Sequence, residues 1–200
     1  MTECSPIIAL NPEGKARAAA AGLPLPGTEI RISEPGENGT GEIICKSDSV
    51  MLGYYKDPEE TANAIRDGWL YTGDVGYFDR DGYLYITGRK KNVIVTKNGK
   101  NIFPEEVEFY LNRSPYIAEV IVTGEKESDA GESIVWANIF PDYEAIAEQK
   151  GSLGEAELRA LLKSEIDRLN DLMPFYKRVK RFRIRETEFD KTTTRKIKRW

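Results

Sequence analysis

The first part of the chain alternates apolar and polar side chains in short runs separated by turn residues. One run covers Thr28–Ser33 and another covers Gly41–Lys46, with Glu37, Asn38 and Gly39 between them. Alternation with a period of two is typical of half-buried strands, and an Asn-Gly step favours a tight turn. The pattern therefore predicts a β-hairpin.

A short helix with its own start signal follows this hairpin. Asp57 is a residue type that caps helix N-termini, and Pro58 suits the first helical position because its missing N–H would have no partner there. The helix is predicted to run to about Arg66.

Further strands are predicted between residues 69 and 87. Trp69–Tyr71 is a strand, a tight turn at Asp74 ends it, and Gly76–Asp79 is the next strand. The sequence Arg-Asp-Gly at 80–82 then connects to a strand over Tyr83–Thr87, which predicts a second hairpin. The first unit is therefore expected to be almost entirely β.

The second part of the chain mixes strands and helices. The predicted elements are a strand over Lys91–Thr96, a glycine-bearing loop over Lys97–Lys100, a helix that begins at Pro104, strands over Ile117–Thr123 and Ser133–Phe140, and a helix over Leu153–Leu172. The two longer strands flank a polar turn and are expected to pair antiparallel. The long helix is amphipathic because its leucines and isoleucine recur at spacings of three and four, and Pro174 is expected to end it. Phe182 and Ile184 alternate with basic residues, as on a packed edge strand.

Charge also divides the chain into two parts. Residues 1–88 carry 7 basic and 14 acidic side chains, and residues 89–200 carry 22 and 19, which gives formal charges of −7 and +3. We therefore expect two units, with the boundary at 89–91, and an anionic partner for the second unit.

Composition excludes several kinds of chemistry. The chain contains no histidine, so a histidine-based triad, an imidazole metal site and an imidazole general base are all excluded. Cys4 and Cys45 form no Cys-Xaa-Xaa-Cys motif, and neither a disulfide framework nor a zinc site is indicated. The sequence has no run of eighteen apolar residues and no signal peptide. A cytoplasmic location is expected, with or without association at a membrane surface.

Candidate chemistry is concentrated between Gly68 and Lys91. Asp74 follows Gly73, and Arg89 ends the second of two apolar, aromatic strands. A carboxylate can accept hydrogen bonds from two vicinal hydroxyls, and a guanidinium binds phosphate well. This pair of side chains is suited to bind a ribose that carries a phosphate.

Five ordered motifs resemble those of the acyl-adenylate-forming enzymes, which are the AMP-dependent synthetases and ligases and include acyl-CoA synthetases. The motifs are YTGD at 71–74, GRKK at 88–91, KNGKNI at 97–102, PEEVE at 104–108 and KTTTRKIKR at 191–199. The segment MTE at 1–3 also resembles the end of a YGXTE motif of this family. The resemblance covers nearly all of the chain, and five motifs in order are more specific than any one of them.

The resemblance implies roles for individual nucleotide-site residues. Asp74 matches the carboxylate that binds the ribose hydroxyls of AMP, and Arg89 matches the arginine that helps hold ribose and phosphate. Glu3 matches the acid that contacts magnesium near the α-phosphate.

The resemblance also implies roles in domain movement and catalysis. Lys91 matches the hinge about which a small C-terminal domain rotates, and Gly99 matches a loop glycine near the channel for the acceptor thiol. Lys196 matches the catalytic lysine, whose point charge can bridge a carboxylate and an α-phosphate. The family usually has glycine before this lysine, whereas Arg195 stands here.

The implied architecture is α+β. Residues 1–88 would be the last, β-rich subdomain of a large N-terminal adenylation domain, shaped as a distorted barrel. Residues 89–200 would be the mobile C-terminal domain, a small α+β unit with a three-stranded sheet and packed helices. The family's phosphate-binding loop does not occur in the sequence, so we expect the missing N-terminal part of the same enzyme to supply it and the 200 residues alone to be inactive.

The implied activity is that of an acyl-CoA synthetase. Such an enzyme activates a carboxylic acid with ATP and Mg²⁺ to an acyl-AMP and transfers the acyl group to coenzyme A. The GRKKN and TTTRKIKR variants favour a long-chain fatty acid as the substrate. One alternative is an adenylating enzyme that loads a carrier protein. Another is a non-catalytic domain that binds a nucleotide, nucleic acid or a partner protein. The 11 basic and 3 acidic residues of 175–200 would suit nucleic acid, but the complete motif set argues against these non-enzymatic roles.

Overall fold

The structure is a computed structural model that describes residues 1–36, 38–97, 99–126, 133–193 and 195–199. Some sequence expectations fall outside these residues. They are Glu37 of the first predicted turn, Asn98 of the glycine-bearing loop, most of the polar turn before residue 133, Thr194 of the last motif, and Trp200.

The chain divides into two compact units, Met1–Lys91 and Asn92–Trp200. The elements of the first unit are β1 (Ala9–Leu10), β2 (Ala20–Pro24), β3 (Glu29–Ser33), β4 (Gly41–Lys46), α1 (Pro58–Ala64), β5 (Ile65–Arg66), β6 (Trp69–Phe78) and β7 (Leu84–Arg89). The elements of the second unit are β8 (Ile94–Val95), β9 (Asn101–Ile102), α2 (Pro104–Leu111), β10 (Ile117–Lys126), β11 (Ser133–Pro141), α3 (Tyr143–Lys150), α4 (Glu155–Asn170) and β12 (Arg181–Ile184). Short 3₁₀ helices occupy Thr2–Cys4, Lys90–Asn92 and Phe175–Lys177.

The described strands of the first unit form a curled, half-barrel sheet of seven strands. Its order is β1-β2-β7-β6-β4-β3, and β5 pairs with β6 beside this path. The predicted β3/β4 hairpin is confirmed, with Glu29 opposite Lys46 and Ser33 opposite Glu42. The core of this unit includes Ile43, Leu70 and Leu84, whose apolar side chains are withdrawn from water inside the curl.

The described residues of the second unit form a three-stranded sheet with helices packed on it and a separate two-stranded sheet of β8 and β9. β10 pairs antiparallel with β11, as predicted, and β12 adds to β11 in parallel. β12 is the edge strand that the alternation of Phe182 and Ile184 predicted, and its basic residues point outward. The core contains Val107 and Leu111 of α2 and Leu162 and Leu169 of α4, which pack with the apolar residues of the sheet.

Two helices differ from their predicted bounds, and a third was not anticipated. α1 ends at Ala64 because the next two residues turn into β5 and pair with β6. α4 ends at Asn170, before Pro174, because the Asn170 side chain turns to the backbone of Val179 and bonds both its N–H and its carbonyl. The sequence did not predict α3 because Ile146 is its one buried side chain, so the segment lacks the repeating apolar positions of an amphipathic helix.

Two predicted local structures are wrong. Asp74 does not lie on a tight turn between two strands: β6 continues unbroken through Gly73 and Asp74. The strand predicted over Lys91–Thr96 is reduced to β8, because its partner strand β9 offers a two-residue ladder and Lys90–Asn92 is helical.

The overall class is nevertheless the predicted one, an α+β chain with a β-rich unit followed by a small α+β unit. Within the described residues, no helix is both long enough and apolar enough to cross a membrane.

Candidate functional site

A β-bulge presents Asp74 on β6. Glu42 of β4 pairs with Val75, and Ile44 pairs with Tyr71, so the intervening β6 residues at 72–74 face a single β4 residue. Gly73 has a φ of 70°, a left-handed conformation that a glycine adopts without steric cost. Bulges re-aim side chains next to functional sites while pairing continues on either side. A Gly-Asp step that resembles a turn in the sequence is therefore a bulge in the fold.

Side chains satisfy the backbone of this bulge. The buried Thr72 hydroxyl donates to the Ile43 carbonyl over 2.7 Å and accepts from the Asp74 N–H over 3.1 Å. The Gly73 N–H donates to Glu42 Oε1 over 3.1 Å. Because each of these polar groups has a partner, the bulge is held in one conformation.

Arg89 lies directly opposite Asp74 on the neighbouring strand β7. Arg89 Nε is 2.8 Å from Asp74 Oδ1, and Arg89 Nη1 donates to the Thr72 carbonyl over 3.2 Å. The Asp74 side chain is 22% exposed and that of Arg89 is 50% exposed. The structure thus brings together the two residues that the sequence assigned to ribose and phosphate, and leaves both accessible from solvent.

Glu42 is a functional candidate that the sequence reasoning missed. Its side chain is 10% exposed, and Oε2 lies 2.7 Å from Lys90 Nζ while Oε1 accepts from Gly73. It therefore joins the bulge to the residue that follows Arg89. A carboxylate inside the otherwise apolar run of β4 was the available signal, since a buried charge needs a specific partner.

Glu3 lies in the first 3₁₀ helix, where its carbonyl accepts from the Met51 N–H over 2.8 Å. The Tyr54 hydroxyl donates to Glu3 Oε1 over 3.2 Å. Burial raises the pKa of Tyr54, and the negative charge of Glu3 raises that pKa further. The neutral phenol is thereby kept as a hydrogen-bond donor to the carboxylate.

Glu3 fits magnesium as one ligand among several. Within the described ranges, no group of three or more Asp, Glu or Cys side chains could hold a metal ion by itself. Mg²⁺ commonly keeps waters and binds one or two carboxylates together with substrate phosphates. A single carboxylate suits an ion that arrives with a nucleotide.

The two cysteines meet in the core of the first unit. Cys4 Sγ is 3.3 Å from Cys45 Sγ, and both residues are fully buried. Burial raises the pKa of Cys4 and raises the pKa of Cys45 to about 12. The pair therefore behaves as buried, neutral thiols, and it fixes the segment that carries Glu3 against β4.

The two assigned residues that follow Arg89 lie in short, exposed segments. Lys91 is in the 3₁₀ helix Lys90–Asn92, and the division between the two units falls directly after it. Gly99 lies in the β8–β9 turn with a φ of 71°, and its N–H donates to the Thr96 carbonyl over 2.9 Å. A Cβ at Gly99 would meet no atom of the described residues within 4 Å, so the positive φ is the reason the structure gives for glycine there.

Lys196 lies on a small closed loop. Lys191 and Ile197 form an isolated bridge, and the Lys196 carbonyl accepts from the Thr192 N–H over 2.8 Å. The Lys196 N–H donates to Thr192 Oγ1 over 3.1 Å, while its side chain remains exposed. Arg195 has a φ of 61°, which explains why glycine suits the position before the lysine. The structure thus places Lys196 in the second unit beside the Lys191–Ile197 bridge, with its side chain exposed.

Comparisons with known proteins extend over both units. The family described as AMP-binding enzyme matches residues 1–55, and the AMP-binding enzyme C-terminal domain matches residues 91–199. A long-chain-fatty-acid–CoA ligase of Bacillus subtilis (strain 168) is 43% identical over 141 residues, which are 67% of this chain and 25% of the relative. A 2-succinylbenzoate–CoA ligase of Geobacillus kaustophilus (strain HTA426) is 38% identical over 173 residues, 83% of this chain and 34% of the relative.

Solved structures of the O-succinylbenzoate coenzyme A synthetase of Bacillus subtilis share the fold. The complex with AMP has a TM-score of 0.76 at 29% identity, and the complex with ATP and a magnesium ion has 0.73 at 30%. Each match covers 98% of this chain and 38% of the other chain. The chain thus spans about a quarter to a third of the length of the curated relatives described above. Because the C-terminal domain match alone covers more than half of its residues, the chain belongs to the AMP-binding enzyme family.

Proposed function

We propose that this chain forms part of an AMP-forming acid–CoA ligase whose substrate is a long-chain fatty acid. In this proposal, residues 1–88 are the last subdomain of the adenylation domain and residues 89–200 are its mobile C-terminal domain. The observation that carries the proposal is the Asp74–Arg89 pair at the β6 bulge, with Nε and Oδ1 2.8 Å apart. Other parts of the enzyme would supply the phosphate loop and the acyl pocket.

Asp74 would bind the vicinal hydroxyls of the ribose. A carboxylate can accept two hydrogen bonds from vicinal hydroxyls, and the guanidinium of Arg89 would keep it oriented while meeting the adjacent phosphate. Thr72 and Glu42 hold the bulge from behind. Little reorganisation is then needed when the nucleotide binds, which favours affinity.

Lys196 would act in the first half-reaction. The substrate carboxylate oxygen attacks the α-phosphorus of ATP, a P–O bond forms, and pyrophosphate leaves with the electrons of the bond that breaks. Negative charge accumulates around the phosphorus, and the ammonium of Lys196 would offset it and bridge the two anionic groups. An exposed lysine suits this task because its long, flexible side chain carries a point charge that can meet an anionic substrate.

Glu3 would hold the magnesium ion, which neutralises phosphate charge when it is bound with ATP. Tyr54 orients the Glu3 carboxylate through its hydroxyl. The segment itself is fixed through the Glu3 carbonyl and the neighbouring Cys4–Cys45 contact.

The second half-reaction would use a different arrangement of the two units. The sulfur of coenzyme A attacks the acyl carbonyl carbon and a C–S bond forms. The bond from that carbon to the phosphate oxygen breaks, AMP leaves with its electrons, and the thiol proton is released to solvent. Rotation at Lys91 would withdraw Lys196 and bring the Gly99 turn toward the thiol. The position of Lys91 at the division between the units supports its role as a hinge.

A second candidate substrate is an aromatic dicarboxylic acid. The 38% identity to the 2-succinylbenzoate–CoA ligase, over a larger share of the chain, favours this class. Acyl-CoA formation by the complete enzyme, measured by mass spectrometry with a panel of fatty acids and aromatic acids, distinguishes the two. Our proposal is supported if a long-chain acid turns over at least about tenfold faster than the aromatic acids, a difference of about 1.4 kcal/mol in the activation barrier. The reverse order overturns it.

Asp74→Asn tests the ribose assignment in the same enzyme. It should raise the KM for ATP, whereas the exposed Asp48→Asn, the matched control, should not. The 200 residues alone should show no ATP–pyrophosphate exchange. Exchange by the isolated chain would contradict the proposed division of labour.

A further inference from the structure

Arg199, three residues after Lys196, is held by two carboxylates and a backbone carbonyl. Its Nη2 lies 2.6 Å from Glu108 Oε2 and 3.4 Å from Glu105 Oε1, and its Nη1 donates to the Val122 carbonyl over 3.3 Å. Its side chain is 18% exposed. Arg199 therefore fastens the end of the 191–199 segment to both α2 and β10.

The carboxylate that receives Arg199 is itself part of the fold. The Glu108 side chain is 13% exposed, and its Oε1 accepts from the Val122 N–H over 2.7 Å. Burial raises the pKa of Glu108, against the opposing effects of the Val122 N–H and the positive charge of Arg199. A buried carboxylate is costly unless it is paired, so Glu108 and Arg199 depend on each other.

The other side of the loop has a comparable anchor. Lys191 Nζ is 2.5 Å from Glu119 Oε1, and Glu119 Oε2 accepts from the Phe189 N–H over 2.8 Å. These contacts hold Glu119 ionised, and its pKa is lowered despite the opposing effect of burial. Lys196 thus projects from a loop that is fixed at both ends by carboxylates of the second unit.

Glu105, which contacts Arg199, also binds the residue next to the proposed hinge. The Asn92 side-chain amide donates to Glu105 Oε1 over 2.6 Å, and the same oxygen faces Arg199. Asn92 directly follows Lys91 in the chain. One carboxylate therefore connects the start of the second unit with the segment that carries Lys196.

We propose that Arg199 is a positioning residue for the adenylation half-reaction. This inference rests on the proposed function of Lys196. The Arg199–Glu108 ion pair holds the loop so that the Lys196 side chain has one orientation. The ion pair acts within the second unit. Its loss should therefore impair the half-reaction that uses Lys196 and spare the one that does not.

The kinetic test uses the complete enzyme. Arg199→Ala should lower kcat for ATP–pyrophosphate exchange by about 10-fold to 100-fold, the range expected when a catalytic group is misplaced by about an ångström, with little change in KM. Thioester formation from supplied acyl-AMP should stay within about twofold, a difference that is small in free-energy terms. Lys198→Ala removes an exposed charge from the same loop and serves as the matched control. Equal loss of both half-reactions in Arg199→Ala would overturn the proposal.

A structural readout separates this proposal from the function on which it rests. In the 200-residue chain, Arg199→Ala should speed hydrogen exchange at the Lys196 and Lys198 amides and leave β10 and β11 protected, whereas Lys198→Ala should not. Unchanged exchange contradicts the positioning role whatever the kinetics. Lys196→Ala, assayed in parallel, tests the function separately: retained adenylation there would refute the role of the lysine but not the anchoring of its loop.

Two further variants keep the test valid if Arg199→Ala does not fold. Glu108→Gln retains an acceptor for the Val122 N–H but loses the ion pair, so it should lower adenylation selectively, as Arg199→Ala does. Arg199→Lys keeps the charge and should restore part of the lost activity. If Glu108→Gln folds and retains full adenylation, Glu108 does not position the loop through Arg199.

Discussion

The Thr72 hydroxyl is bonded to the Ile43 carbonyl over 2.7 Å, across the two strands that the Asp74 bulge joins. The same hydroxyl accepts from the Asp74 N–H. One buried side chain thus connects the geometry of the candidate nucleotide site to the core of the first unit.

Thr72→Val should therefore destabilise the first unit. The isosteric substitution leaves the Ile43 carbonyl and the Asp74 N–H without this partner, at an expected cost of about 1–3 kcal/mol in the free energy of unfolding. Urea unfolding followed by tryptophan fluorescence measures it. Thr28→Val, a half-buried control whose hydroxyl has no partner among the described residues, should change the midpoint little; equal shifts would mean that the Thr72 hydroxyl is not special.

Lys196→Ala should separate the two half-reactions in the complete enzyme. Acyl-AMP formation should fall by about 10²-fold to 10³-fold, which is typical when one charge-stabilising group is removed. Thioester formation from supplied acyl-AMP should persist. Pyrophosphate exchange and acyl-CoA release are the two measurements, and Lys198→Ala is the control; comparable losses in both would refute the assignment.

Lys91→Pro should have the opposite selectivity. Proline fixes φ and removes an N–H, so rotation at this residue would be blocked. Thioester formation should then fall more than adenylation. Lys91→Ala removes the side chain but leaves the backbone free, so a similar defect in that variant would point to the side chain and not to the hinge.

The cysteine pair predicts a loss of stability at alkaline pH. Burial raises the pKa of both thiols, to about 12 for Cys45, whereas they titrate near their ordinary values once unfolded. The unfolded chain therefore releases protons first, and stability falls as pH rises from the unfolded pKa toward the folded one. Denaturant midpoints from about pH 7 to about pH 10, spanning the ordinary thiol pKa, should fall more steeply than in Cys4→Ala/Cys45→Ala. Parallel curves would rule out the thiols as the cause.

The sequence predicted elements whose pattern and packing agree. β3, β4, β10 and β11 alternate or carry long apolar runs between turn residues, and each forms where predicted. α4 has a complete apolar stripe, so its existence followed from periodicity alone, although its ends did not. Local sequence signals were sufficient in these segments because tertiary packing favours the same secondary structure.

The site was harder to predict because it depends on contacts between distant segments. Gly73 and Asp74 have the composition of a turn, but pairing on both sides of β6 keeps them within a strand. The roles of Glu42 and Arg199 arise from partners 31 and 91 residues away, respectively. A local pattern can mark Glu42 as a carboxylate within an apolar strand, but it does not identify these distant partners, whereas the motif residues Asp74 and Arg89 could be named from the sequence.

The parallel pairing of β12 with β11 has a consequence for the order of folding. β10 and β11 are neighbours in sequence and can pair early, whereas β12 reaches β11 across the whole of α3 and α4. Non-local pairing forms late because its loop-closure entropy is lost before its contacts form. The segment that carries Lys196 lies C-terminal to β12, so a second unit in which β12 has not yet paired would not hold Lys196 in its native position, and the lysine would reach that position late in folding.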